Sequence, residues 1–187
     1  MYKIYIDLET SGLSELFHDV LEIGLIIEDG AGREVAEYSS FIQRGALHIL
    51  QERANAQALK INGITLNEEF IQISKPVKEI QHDLIALFQK FRLTKENAVF
   101  VANNPQFDMT FLGQIVPKDT QAAHKWPYRS LDLHTLAYAK LGKLGMSKDK
   151  VAEFVGLEPE PHPHRAINGT RHLRDVIKRL EKLDVKN

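Results

Sequence analysis

Apolar and polar positions alternate strictly near the start of the chain. Ile4, Ile6 and Leu8 fall on one set of positions and Tyr5, Asp7 and Glu9 on the other, so a strand here turns an aliphatic face one way and two carboxylates the other. Two further apolar runs, 21–28 and 34–42, flank Asp29-Gly30-Ala31-Gly32, the turn signal of an antiparallel hairpin. A short helix is predicted from Arg53 to Leu59, with Asn62-Gly63 ending it. Pro76 then opens a longer helix, in which Val77, Ile80, Leu84, Leu87, Phe88 and Phe91 recur at helical spacing.

A compact strand at 98–102 leads into Asn104-Pro105, a helix start, with Phe107, Phe111, Leu112 and Ile115 on the apolar face and Asp108 in the first turn. A short segment at 129–131 precedes a helix from Asp132 to about Leu141, and 143–156 holds another. Pro159, Pro161 and Pro163 break the chain before a last helix. This order predicts an α/β fold, a mixed five-stranded sheet with helices on both faces, built as one domain over 1–187.

Composition narrows the function classes. The 187 residues are 43% apolar and 26% charged, with no apolar run long enough to span a membrane, and the first residues lack the pattern of a secretory signal. Zero cysteines exclude disulfides and thiolate zinc sites and fit a reducing cytoplasm. A net charge of −1 gives no global pull toward nucleic acid, although from Arg165 onward seven basic residues face three acids. That local excess suits a solvated helix face as well as a phosphate-binding surface.

Asp7 and Glu9, two residues apart on one strand face, have α-carbons roughly 6.5 Å apart and can lean onto one divalent cation. Hard oxygen donors suit Mg²⁺ or Mn²⁺. The alternative is a half-exposed strand whose outer face happens to be acidic. Asp108 alone reads equally as an acid favouring a helix N-terminus, and His164, like His162, as a loop histidine.

Three segments together carry more: Asp7-Leu8-Glu9-Thr10-Ser11-Gly12, then Asn104-Pro105-Gln106-Phe107-Asp108, then His164-Arg165-Ala166. In order and spacing they resemble the motifs of the DEDD-type 3′–5′ exonucleases, in the histidine branch that includes proofreading subunits of replicative polymerases, ribonuclease T and oligoribonuclease. The likeness extends to Leu21-Glu22-Ile23-Gly24, Ile61-Asn62-Gly63-Ile64-Thr65 and Ser130-Leu131-Asp132. It implies a ribonuclease H-like fold, two Mg²⁺ or Mn²⁺ ions, and release of nucleoside monophosphates from the 3′ end of single-stranded DNA or RNA. Asp7, Glu9 and Asp108 become the metal ligands and His164 the base, while Thr10, Leu13 and Phe107 face the terminal nucleotide. Leu13 and Phe17 also read as ordinary packing residues. A homodimer and a polymerase partner are both open under this resemblance.

The chain departs from the family at one place. The last metal-binding aspartate is expected five residues after the histidine, where this chain has Gly169. Helical spacing sets 169 on the stripe of Leu173, Val176 and Leu180, facing the sheet, and Asn168 on the polar side with His172, Asp175 and Arg179. Asn168 is therefore a poor substitute, as is Asp175, about 9 Å further along the helix. Losing such a ligand is expected to cost on the order of 10–100-fold or more. Glycine in a helix costs roughly 0.5–1 kcal/mol against alanine, so local stability gives no reason for it. The alternative function is a degenerate exonuclease-like module that binds nucleic acid or a protein without cutting.

Overall fold

The computed structural model describes residues 1–184. Six strands form one sheet: β1 (Tyr2–Thr10), β2 (Val20–Glu28), β3 (Glu34–Gln43), β4 (Lys75–Pro76), β5 (Ala98–Ala102) and β6 (Ser130–Asp132). Their order is β4-β3-β2-β1-β5-β6. The hairpin signal is borne out, since β1, β2 and β3 are antiparallel neighbours, while β5 and β6 join in parallel, giving the mixed sheet of a ribonuclease H-like α/β fold. The expected five strands are six, because Lys75 and Pro76 pair with Ile42 and Gln43 before the helix that Pro76 caps. Two residues carry no periodicity, so this strand has no sequence signal.

Nine helices lie among the described residues: α1 (Leu47–Arg53), α2 (Ala56–Asn62), α3 (Glu68–Ile73), α4 (Val77–Lys90), α5 (Pro105–Leu112), α6 (Lys118–Ala123), α7 (Leu133–Leu141), α8 (Lys148–Phe154) and α9 (Ala166–Glu181). The helix expected over 53–59 is in fact two, divided at Ala54-Asn55. The Asn55 side chain accepts from the amides of Gln57 and Ala58 and so starts a new helix. Gly63, at φ 65°, ends it as expected.

The alternation of β1 sorts the two cores. Ile4, Ile6 and Leu8 pack with Ile80, Leu84 and Phe88 of α4 and Phe111 and Leu112 of α5. Tyr5 packs on the opposite face with residues of α7, α8 and α9. Asp7 and Glu9 belong to that second face, at the end of β1 that extends past its pairing with β5. The buried stripe of α9, Gly169, Leu173, Val176 and Leu180, meets the sheet there. A Cβ on Gly24 of β2 would overlap the backbone of Ala166, so glycine lets the start of α9 lie directly on the strand beside Asp7.

The basic excess of α9 is spent on the protein itself. Arg171 pairs with Glu37 and Arg174 with Glu34, Lys178 reaches Glu28 at 2.7 Å, and Arg179 donates to the carbonyls of Val155 and Gly156. Neither a solvated face nor a phosphate-binding surface describes these four side chains, which are bound within the chain; Lys186 lies outside the described residues.

Candidate active site

Cross-strand register builds the acidic floor. Asp7 stands opposite Gly24 and Glu9 opposite Glu22, so three carboxylates share one face of the β1–β2 pair. Asp108, 5% exposed in the first turn of α5, lies close enough to Asp7 for their charges to oppose each other. The sheet thus brings Asp7, Glu9 and Asp108 together.

Crowding shows in their protonation. Burial above all pushes Asp7 up to about 6, with the nearby Glu160 and Glu22 adding to the rise and the Lys148 ammonium opposing it. Burial, then the charges of Asp7, Glu22 and Glu160, push Glu9 up to about 9. Asp108 is raised well above the usual carboxylate range, by burial first and by Asp7 second. Glu22 is also raised by burial, but it has partners: Arg165 at 3.1 Å and the amide of Ala166 at 3.2 Å.

His164 lies just before α9, in the field of Glu160 and Lys148. Its backbone amide donates to the carbonyl of Ile61, and its ring stacks on His162 at 4.4 Å between centroids. Burial lowers its pKa, the charges of His162 and Lys148 lower it further and Glu160 works against them, so the ring is neutral at neutral pH. Asn62, 1% exposed, donates from Nδ2 to the carbonyl of Thr10 at 3.1 Å. The end of α2 therefore ties the end of β1 to the histidine loop. Asn62 lies in the Ile61–Thr65 segment of the family likeness, and this contact gives it a positioning role that a helix end before glycine does not by itself suggest.

Of the three nucleotide-facing candidates, two reach open space. Leu13 is 84% exposed and borders two hollows: one of about 270 Å³ lined by Glu15, Asn104, Phe107 and Phe111, the other of about 490 Å³ lined by His18, Asn55, Ala58 and Ile61. Phe107 lines the first and packs against Phe111 with the rings tilted 45°. Thr10 turns inward, its hydroxyl donating to the carbonyl of Gly12 at 2.7 Å and its own carbonyl taken by Asn62, so its side chain shapes the loop. Phe17, 68% exposed, is not a packing residue.

The structure gives Gly169 a reason that helix propensity does not. It is buried on α9 against Asp7, and a Cβ there would overlap the Asp7 carboxylate and come within 2.9 Å of Glu160 Oε1. Glu160, 6% exposed, and Lys148, joined at 2.5 Å between Oε2 and Nζ, were not foreseen from the sequence. One lies among alternating prolines and the other in the first turn of α8, where a lysine reads as a solvated charge. Among the described residues no three histidine or acidic side chains form a ready metal-ligand group. The donor chemistry nonetheless fits a hard divalent cation: carboxylates are held where burial first and like charge second raise their pKa values, and Glu160 Oε1 is buried without a hydrogen-bond partner.

Over 178 residues the chain is 29% identical to the DNA polymerase III PolC-type protein of Thermotoga petrophila, covering 95% of this chain and 12% of that protein. It is 29% identical over 134 residues to a probable oligoribonuclease of Schizosaccharomyces pombe, covering 71% of this chain and 52% of that one. The chain thus spans about an eighth of the PolC relatives and about half of the oligoribonuclease. Escherichia coli exonuclease I, solved with a dT13 oligonucleotide, shares the fold at a TM-score of 0.77 and 16% identity, over 97% of this chain and 41% of that one. The nuclease domain of 3′hExo, a DEDDh family member bound to rAMP, does so at 0.71 and 12%, over 100% and 96%. No helix among the described residues is long and apolar enough to cross a membrane. The exonuclease family's sequence model matches residues 4–173, and the chain belongs to that family, within the DEDD superfamily of 3′–5′ exonucleases.

Proposed function

We propose that the chain is a metal-dependent 3′–5′ exonuclease that hydrolyses the terminal phosphodiester of single-stranded DNA or RNA and releases nucleoside monophosphates. The observation that carries this reading is the crowding of Asp7, Glu9 and Asp108 at one end of the sheet, with raised pKa values and one lysine for counter-charge. Three buried acids held so that they keep protons above the usual carboxylate range form a site that a divalent cation would complete by displacing those protons, and a purely structural site would pair them.

Asp7, Glu9 and Asp108 would hold Mg²⁺ or Mn²⁺. When bound, such an ion supplies the positive charge that offsets negative charge developing on the attacking and leaving oxygens. A ring nitrogen of the neutral His164 accepts a proton from the attacking water as its oxygen forms a bond to phosphorus. The bond from phosphorus to the 3′ oxygen breaks, and that oxygen leaves as the new 3′ hydroxyl after taking a proton from solvent. Leu13, between its two hollows, separates the last base from the one before it, with Phe107 as the apolar wall of one hollow. Cytoplasm fits a chain without cysteine. The PolC likeness supports a polymerase context, with oligonucleotide trimming as its counterpart from the oligoribonuclease likeness.

Gly169 favours a second reading, a module that binds nucleic acid without cutting it. Stepwise trimming of a 5′-labelled single-stranded oligonucleotide in Mn²⁺ decides between them. The nuclease reading expects trimming by the parent chain and none by Asp7→Ala. Binding of the oligonucleotide without product from either would reject it.

A further inference from the structure

We propose that Glu160 replaces the family's missing fourth carboxylate, and that Lys148 is a tethered cation which a divalent metal must displace in order to use it. This rests on the metal-dependent reading above and concerns how this particular site is completed.

The argument begins with space. An aspartate at 169 would carry its carboxylate oxygens about 2.4 Å from its Cβ. Glu160 Oε1 lies 2.9 Å from the point where that Cβ would stand, and the Asp7 carboxylate lies closer still. Glu160 thus brings an oxygen to nearly the radius at which the lost aspartate would have held one, from the proline-rich loop before α9 instead of from the helix. The volume surrendered at Gly169 is the volume that the two carboxylates use.

The second observation is how Glu160 is satisfied. It is 6% exposed, and its two oxygens have different fates: Oε2 takes the Lys148 ammonium at 2.5 Å, whereas Oε1 is buried with no hydrogen-bond partner. An unpartnered carboxylate oxygen inside a protein is costly, and this one points at the Asp7 and Gly169 side of the site. A cation shared with Asp7 would satisfy it.

Lys148 explains the remainder. Its side chain is 16% exposed, and its ammonium stands 2.5 Å from Glu160 Oε2, on the carboxylate whose other oxygen faces Asp7. A lysine ammonium is a compact point charge on a flexible stem, able to neutralise these acids and able to withdraw. Replacing the aspartate at 169 with Glu160 therefore comes with a resident competitor, so divalent metal must win its place by exchange.

Calorimetric titration of the full chain with Mn²⁺ at pH 7.5 tests this, comparing the parent with Glu160→Gln, Lys148→Met and Asp7→Asn, each checked for folding by thermal melting in chelator. The expected result is Mn²⁺ binding by the parent, at least ~10-fold weaker binding by Glu160→Gln, ~10-fold tighter binding by Lys148→Met and none by Asp7→Asn. Parent-like affinity in Glu160→Gln overturns the proposal, as does unchanged or weaker affinity in Lys148→Met. Lys148→Met keeps the test open even if Glu160→Gln fails to fold. Absence of binding in both the parent and Lys148→Met defeats the metal-dependent reading itself, an outcome distinct from the other two.

Discussion

The two ends of the β1–β2 face present buried acids on the same pair of strands and treat them in opposite ways. At one end Glu28, 2% exposed, has Lys178 at 2.7 Å, Lys3 at 3.8 Å and the Tyr5 hydroxyl at 3.4 Å. At the other end Asp7, Glu9 and Asp108 share the influence of a single lysine, already bound to Glu160. Burial alone therefore does not mark the functional carboxylate. What marks it is burial without enough counter-charge, which costs stability until a ligand brings the charge. Glu22 stands between the two ends in sequence and in kind: buried, yet held by Arg165 and the Ala166 amide, it works as a brace for the start of α9.

The largest test of this contrast is catalytic. Asp7→Ala should lower the rate of 3′ trimming in Mn²⁺ by at least ~100-fold, while Glu28→Gln leaves it near the parent value under conditions where both variants are folded. Comparable losses in both would show that the ends of the face are not functionally distinct.

Next comes stability in chelator, where the two ends should respond with opposite sign. Glu28→Gln leaves Lys3 and Lys178 without their shared carboxylate and should destabilise by about 2 kcal/mol, the partly exposed lysines keeping the effect below that of a fully buried pair. The expected fall in melting temperature is roughly 4–8 °C. Glu9→Gln removes a carboxyl group that folding must force to keep its proton and should raise the melting temperature at pH 8. A fall with Glu9→Gln would mean that the acidic end is already satisfied without metal.

The acidic end was legible in the sequence to an unusual degree, and the reason is local. Asp7 and Glu9 lie on one strand whose alternation fixes their common face, and Asp108 follows Asn104-Pro105 at a helix start. His164 and Gly169 are five residues apart across the start of one helix. What stayed hidden depends on contacts between segments far apart in the chain. Lys148 and Glu160 meet only because α8 folds back beside the proline-rich loop, and Asn62 matters only because α2 ends beneath β1. The same reason applies to the fold: β4 exists through its pairing with β3, and the break between α1 and α2 follows from the Asn55 cap inside a stretch that reads as one helix. The meaning of Gly169 changed most. As a letter in a helix it is a small loss of stability, and in place it is the only residue type that leaves the Asp7 carboxylate where it stands.

The smallest expected effect is a pH dependence, and its sign isolates the acidic end. Glu9 has its pKa raised from 4.5 to about 9 by burial and by its acidic neighbours, so the folded chain holds a proton there that the unfolded chain has released by neutral pH. When the native state binds more protons than the unfolded one, stability falls as pH rises, here from above 4.5 until the folded pKa near 9 is passed. His164 acts oppositely. Its lowered pKa makes stability rise with pH through the range below about 6.5, so a window from pH 7 to 8 avoids it. Asp7, raised to about 6, has also lost most of its proton by then. In chelator the stability should therefore drop by about 1 kcal/mol from pH 7 to pH 8, or roughly 2–4 °C in melting temperature. Glu9→Gln should reduce that slope, leaving the part that the raised Asp108 contributes, and saturating Mn²⁺ should reverse it, because carboxylates bind metal in their charged form. A melting temperature that is constant or rising over this window in chelator, or a slope unchanged in Glu9→Gln, would place the missing counter-charge somewhere other than beside Glu9.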